Sequence, residues 1–277
     1  MTNNTCNIAV VVVLYQQTVE QSLSLTTLRQ HESHLGAYQL IVYNNSADYK
    51  AVLPHAIVEN ASTNNGLAKA YNRALALAQQ HGCKWLMLLD QDTSLTADYL
   101  EQVSAFVERA DSSRYVVAVP RLIENGVQLS PTCYKPSRGV VWRQKTVISL
   151  VDVPSKQVVT AFNSATLVNV DMLLAMGGFD ETYPLDMLDH RMFWLFHEKH
   201  LSIAFLPVSL AHSLSENSVM ETSRYKSYLE AHRRWAASLG WRTLFNFKFR
   251  MALRWAQQIL LQEDIVKRRA TFRILFK

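Results

Sequence analysis

Apolar residues along this 277-residue chain gather in short unbroken runs, and between the runs they recur every three or four positions. Residues 8–14 (IAVVVVL) and 85–89 (WLMLL) leave no polar face, which predicts strands buried on both sides, and 39–43 (QLIVY) predicts another strand. Shorter stretches at 56–59, 115–119, 165–170 and 201–206 predict four more. Helical periodicity marks 18–31, with Val19, Leu23 and Leu28 inward. It also marks 67–80, where Leu67, Ala70, Ala74, Leu77 and Ala78 form one stripe. Further helices are predicted at 97–110, from Asp171 up to a Gly177-Gly178 break, and over 189–199. Strand and helix alternating at this pace predicts an α/β fold around a mostly parallel, doubly wound sheet.

Residues 120–160 break the rhythm: Pro120, Pro131, Pro136 and Pro154 with mixed polarity predict hairpins and loops. From residue 221 onward the chain reads as helix rich in Arg, Trp, Phe and Leu. The expected division is an α/β domain over 1–218 and a basic amphipathic helical region over 219–277.

Composition narrows the class. A hydrophobic content of 49% with 18% charged residues excludes a disordered chain. No stretch reaches 18 uninterrupted apolar residues, so no transmembrane helix is expected, and the first apolar run lacks the basic leader of a signal peptide. Cys6, Cys83 and Cys133 are widely spaced, which suits a reducing cytoplasm. The net charge of +5 hides an asymmetry. Residues 219–277 hold thirteen Lys/Arg against four Asp/Glu, net +9, while the preceding 218 hold fifteen against nineteen, net −4.

The chemistry centres on Asp90 and Asp92, one position apart at the carboxyl end of the 85–89 strand, where ligands of open α/β sheets sit. Two carboxylates there need a cationic partner, and a divalent metal carrying phosphate oxygens supplies one. The plain alternative is a strand-end turn in which Asp92 caps the next helix.

Taken in order, VVVLY (11–15), IVYNNSAD (41–48), NNGLAKAYN (64–72), LLDQDT (88–93), NSATLVN (163–169), GGFDE (177–181), LDMLDH (185–190) and a late His212 resemble glycosyltransferase family 2, enzymes of the GT-A fold. The branch most resembled is the bacterial rhamnosyltransferase type that builds lipopolysaccharide O-antigens and capsules. The resemblance runs over 8–215. It implies an inverting transfer of a sugar, rhamnose from dTDP-rhamnose, from a nucleotide-diphosphate donor to a lipid-linked saccharide acceptor.

The resemblance also assigns residues. Val13, Tyr15, Asn44, Asn45 and Ser46 hold the base and ribose, although the family usually has an acidic residue where Tyr43 or Asn44 stands. Asn64 and Gly66 let the backbone approach the nucleotide at a helix start whose free N–H groups favour anions, and Lys69 and Asn72 reach from that helix. An ordinary turn and cap explains Asn64-Asn65-Gly66 as well. Asp92, Asp90 and His212 hold Mg2+ or Mn2+, with Asp90 on the metal through water or on the ribose. A lone histidine such as His212 also fits a structural role. Asp189 is the expected base, with Asp186 as the other candidate; the alternative for Asp189 is a helix N-cap. The family commonly has an acidic residue two positions after the base, where this chain has Arg191. Asp180, Glu181 and Trp142 are expected at the acceptor. Tyr134 and Trp194 could stack on sugars or sit in the core.

The basic C-terminal region interleaves cations with aromatics, as a helix at an anionic membrane surface does. The expected place is peripheral, at the inner face of the cytoplasmic membrane. Nucleic acid is not expected as a partner, because no binding motif accompanies the charge. Two rival functions are a catalytically altered sugar-nucleotide-binding relative and a sugar-nucleotide pyrophosphorylase. The latter would normally carry a Gly-rich basic loop after the first strand, which Leu14 to Thr18 do not supply.

Overall fold

The computed structural model describes residues 7–109, 111–134, 145–146, 157–212 and 222–277. They fall into two compact units. The first comprises the chain up to Pro131 together with Thr160–His212, and the second comprises Thr132–Val159 with Ser213–Lys277. The 120–160 stretch is thus divided, most of it grouping with the C-terminal helices. Position 218 and Trp142 lie outside the described residues.

The first unit is built on β1 (Ile8–Leu14), β2 (Tyr38–Asn44), β3 (Ile57–Asn60), β4 (Trp85–Asp90), β5 (Tyr115–Glu124), β6 (Val127–Ser130), β10 (Thr166–Asn169) and β11 (Ser202–Ala211). The sheet order is β11-β5-β10-β4-β1-β2-β3, with β6 hairpinned onto β5. β1 pairs in parallel with β2 and β4, β2 with β3, and β5 with β11. Only β10 and β6 run antiparallel to their neighbours. Every residue of β1 is buried, as a central strand covered on both faces requires.

Alternate residues serve the two faces. Val10, Val12, Leu14, Trp85, Met87 and Leu89 join Leu25 and Leu28 of α1 (Leu23–His31) and Tyr99, Leu100 and Val103 of α3 (Ala97–Glu108) in one core. Helix α2 (Leu67–Gln80) packs on β1, β2 and β4 and against α4 (Val170–Ala175).

Several expectations shift. Helix α1 starts at Leu23, because the Ser22 hydroxyl caps it by accepting the Leu25 N–H at 3.3 Å. Its inward phase is therefore set by Leu25 and Leu28, and Leu23, expected inside, is 43% exposed. In α2 the expected inward Leu67 is only partly buried, whereas Tyr71 and Leu75 are fully so. Strands β5 and β11 run past their predicted ends. Pro120 and Pro207 both fall in the stretch where the β5–β11 register shifts, so neither missing N–H breaks a regular rung.

The second unit holds a small sheet of β8 (Lys145–Thr146), β7 (Thr132–Tyr134) and β9 (Val158–Thr160), in that order, and three helices. These are α6 (Thr222–Ser238), α7 (Trp241–Leu260) and α8 (Ile265–Leu275). Leu229, Ala236, Phe247, Ala270 and Ile274 form their core. Gly240, at φ 104°, makes the turn between α6 and α7.

Candidate active site

The parallel strands bring Tyr43, Val13 and Asp90 into one row across β2, β1 and β4 at their carboxyl ends. Asp90 is the last residue of β4, and its Oδ1 accepts the Tyr71 hydroxyl of α2 at 3.4 Å. Burial, and then the charge of Asp92, push the Asp90 carboxyl up to about 7 against the pull of Tyr71, with Asp189 adding to the rise. The Tyr71 hydroxyl is itself driven well above its ordinary value, by burial first and then by Asp90, Asp189 and Asp92. Asp90 at the end of β4, Asp92 in the loop after it, Tyr71 of α2 and Asp189 of α5 (Leu188–Glu198) therefore share one electrostatic neighbourhood. His212, just past β11, feels Asp92 and Glu124, but burial dominates and lowers its pKa. Its ring lies 5.9 Å from Phe162.

The loop carrying Asp92 is held from behind by hydroxyls. Ser22 Oγ donates to the Gln91 carbonyl at 3.0 Å, and Ser24 Oγ bonds the Asp90 carbonyl. Thr93 accepts and donates with Ser24 and pairs with Ser164 at 2.5 Å. This brace leaves Asp92 exposed at the loop tip. Sequence reasoning passed over Ser22, Ser24, Tyr71 and Ser164. A cluster of small hydroxyls at the start of α1 (SLSLTT, 22–27) was the available signal.

Three expected nucleotide contacts are committed to the scaffold. Asn44 is fully buried; its Nδ2 donates to the Tyr49 carbonyl and to Asn60, and its Oδ1 accepts the Ser46 N–H. Asn45 clamps the next crossing, accepting the Asn65 N–H at 2.8 Å and donating to the Gly66 carbonyl. Ser46 Oγ accepts the Gln16 N–H at 2.7 Å. Tyr15 is 44% exposed, its backbone N–H held by Gln91 Oε1 at 2.8 Å.

The start of α2 corrects an expectation. Its first N–H groups are not free for an anion: Leu67 and Ala68 both donate to the Pro184 carbonyl, at 2.6 and 3.3 Å. Gly66 is required there, since it has φ 81° and a Cβ would lie 2.8 Å from that same oxygen. Asn64 Oδ1 accepts the Gly66 N–H at 2.9 Å, so the turn reading describes these residues. Lys69 is exposed on the first turn. Asn72 binds the 178–181 loop, donating to the Phe179 carbonyl and to Glu181 and accepting the Phe179 N–H.

Asp189 sits in the first turn of α5, with one oxygen accepting the His190 N–H at 2.7 Å. It is not the N-cap; that position belongs to Met187, buried in the left-handed region at φ 68°. Asp186 precedes this turn and is partly exposed. Arg191 faces Asp180, with Nε to Oδ2 at 3.0 Å. Partial burial would raise the Asp180 carboxyl, but the Thr182 hydroxyl, Arg191 and the Thr182 amide hold it below the ordinary value. Arg191 thus ties the 180–182 turn to α5, and Glu181 lies exposed beside it. The ring of Phe179 packs 5.2 Å from that of Tyr71.

The model of the family described as Glycosyl transferase family 2 matches residues 36–148. The dTDP-rhamnosyl transferase RfbF of Shigella flexneri is 22% identical over 219 residues, covering 77% of this chain and 71% of the relative. Among solved structures, S. aureus TarS 1–349 in complex with UDP-GlcNAc aligns with a TM-score of 0.50 at 14% identity over 83% of this chain. The mannosyltransferase PcManGT from Pyrobaculum calidifontis, in complex with GDP-Man and Mn2+, aligns with a TM-score of 0.51 at 10% identity over 85%. The chain spans 66% and 65% of those two chains, just under two thirds of each. At such identities the structures speak for the fold. They give the chain the GT-A glycosyltransferase fold, and the stretch over residues 36–148 is similar to glycosyltransferase family 2.

Proposed function

We propose that this glycosyltransferase moves rhamnose from dTDP-rhamnose onto a lipid-linked saccharide, with inversion, in the assembly of a surface polysaccharide. The reading rests above all on the gathering of Asp90, Asp92, Asp189 and Tyr71 at the strand ends. The 22% identical relative, a dTDP-rhamnosyl transferase, supports this choice of donor.

In this reading the acceptor hydroxyl attacks the anomeric carbon while the bond from that carbon to the diphosphate oxygen breaks. Asp189 takes the hydroxyl proton, and the nucleoside diphosphate leaves with its electron pair. Helix α5 aims that carboxylate, and the Pro184 carbonyl fastens the segment before it to α2. Val13 and Tyr15 line the row where the base and ribose lie, with Asn44, Asn45 and Ser46 shaping that edge from behind. Lys69 serves the diphosphate from the first turn of α2. Glu181 and Asp180 meet the acceptor.

The donor set fits a divalent cation carried mainly by phosphate oxygens. Among the described residues no three Asp, Glu, His or Cys side chains form a metal cage. Burial first, and then the charge of Asp92, nevertheless raise Asp90 to about 7, and a cation would relieve both the desolvation and the repulsion. Asp92, supported by Asp90 and His212, would hold Mg2+ or Mn2+, which when bound neutralises charge on the departing diphosphate. The basic helices would place the enzyme at the anionic inner face of the cytoplasmic membrane, where a lipid-linked acceptor lies.

The test is a panel of nucleotide sugars with purified protein, with and without Mn2+. Thermal shift reads binding, and released nucleoside diphosphate reads turnover. The expected result is stabilisation by dTDP-rhamnose, greater with Mn2+. Stabilisation by a different nucleotide sugar would replace the donor, and indifference to all of them would overturn the reading.

A further inference from the structure

Helix α7 is apolar on two sides. Inward, Phe247 joins the three-helix core, with Leu244 and Met251 packed against it. Outward, Trp241, Phe245, Phe249 and Leu253 succeed one another at four-residue steps, a single ridge on a helix, and are 58–74% exposed. Leu260 extends the ridge and is 83% exposed, with Ile259 beside it at 41%. The surface continues onto α8: Trp255 lies 5.2 Å from Phe272, which lies 4.9 Å from Phe276, and both phenylalanines are exposed. Cations border it. The Arg242 guanidinium sits over the Trp241 ring at 5.4 Å, and Arg269 and Arg273 are exposed on α8.

A helix that serves only its own unit shows one apolar stripe, and a contiguous outward patch of this size marks a binding surface. Its occupant must offer both an apolar medium and negative charge. A second copy would set one +9 surface against another. Nucleic acid would answer the cations but leave Phe245 and Leu253 in water. A bilayer of anionic lipid answers both demands. Helix α7 does not span it: among the described residues no helix is long and apolar enough, and Arg242, Lys248, Arg250 and Arg254 interrupt its 20 residues.

We propose that α7 and α8 form an interfacial insertion face, with the Trp241–Leu260 ridge entering the acyl boundary and the flanking arginines on lipid phosphates. This rests on the membrane placement proposed above and deepens it, because insertion, unlike charge attraction alone, survives high salt.

The test is co-sedimentation of the full chain with vesicles of phosphatidylglycerol and phosphatidylethanolamine, at low and high salt. The variant carries Phe245→Glu and Phe249→Glu, both on the exposed ridge, with circular dichroism as the check on folding. Wild type should pellet and remain largely bound in high salt. The folded variant should lose on the order of 100-fold in apparent affinity, since two aromatic anchors become charged. Four results would overturn the proposal: wild type left in the supernatant, complete release by salt, a variant that binds like wild type, or a wild-type dimer made monomeric by the variant without vesicle binding. The last would identify the occupant as a second copy. Thermal shift with dTDP-rhamnose keeps the two readings apart. For wild type, absent vesicle binding with intact donor stabilisation defeats only the insertion face, and vesicle binding without donor stabilisation defeats only the donor.

Discussion

Helices α2 and α7 make opposite use of their apolar residues. In α2, Ala68, Ala70, Tyr71, Ala74, Leu75, Leu77 and Ala78 are all buried, while Lys69, Arg73, Gln79 and Gln80 face water. Its small inner residues let the helix lie close on β1, β2 and β4, so that Tyr71 reaches Asp90 and Asn72 reaches the Phe179 turn. In α7 Phe247 faces inward with Leu244 and Met251, while Trp241, Phe245 and Phe249 are exposed. One helix completes a site within its own unit. The other presents an exposed apolar surface. Changes near α2 should therefore appear in chemistry and stability, and changes along the ridge of α7 in neither.

The largest effect expected on the α2 side concerns the acid gathering itself. Asp189→Asn should lower turnover by roughly 10²- to 10⁴-fold, the usual contribution of a positioned base. Stabilisation by the donor should stay as in wild type, because the amide keeps the shape of the first turn of α5. Unchanged turnover would move the base to Asp186. Next comes packing. Leu75→Ala, in a position 1% exposed, should cost about 2–5 kcal/mol in urea unfolding.

Gly66→Ala should follow, at roughly 1–3 kcal/mol. The new Cβ would meet the Pro184 oxygen at 2.8 Å in a backbone held at φ 81°, and either the turn or the 183–189 segment must yield. Turnover should fall further than stability alone explains, because that segment leads into Asp189. A variant with wild-type kinetics would show that the Pro184 contact does not position the base.

The sequence made the frame of this comparison legible, because burial on two faces writes itself as unbroken apolar runs. Ile8–Leu14 was read to the residue, and Leu67–Gln80 was read from its first residue to about its last. The site was legible as residue types in order but not as contacts. The resemblance assigns Asn44 and Asn72 to the nucleotide, yet both are bound to backbone. Such partners are 5 and 107 residues away, and no local pattern marks the second. The Pro184 cap was hidden for the same reason: a carbonyl has no side-chain signature. Likewise the charge of the tail was countable, but the ridge of α7 needed the packing of Phe247 to reveal which side faced out.

A smaller effect should attend the Asp180–Arg191 pair. Asp180 is held below its ordinary pKa, so its contribution is present above the unfolded carboxylate value and is lost as pH falls through the folded one. Arg191→Gln should therefore lower stability near neutral pH by less than about 1 kcal/mol, the pair being partly exposed. The difference from wild type should shrink in acid. A difference that grew on acidification would mean that Arg191 acts through some other group.

The smallest effect is the sharpest test of the contrast. Phe249→Ser replaces a large aromatic in mid-helix, and in α2 the same kind of truncation would open a cavity. Phe249 is 58% exposed, however, so little apolar contact is removed, and Phe and Ser have similar helix propensities. The urea midpoint should stay within about 0.5 kcal/mol of wild type, as at an ordinary surface position. A loss of about 2 kcal/mol or more would mean that Phe249 is packed within the helical unit. The outward ridge would then be part of its core, and α7 would differ from α2 in degree only.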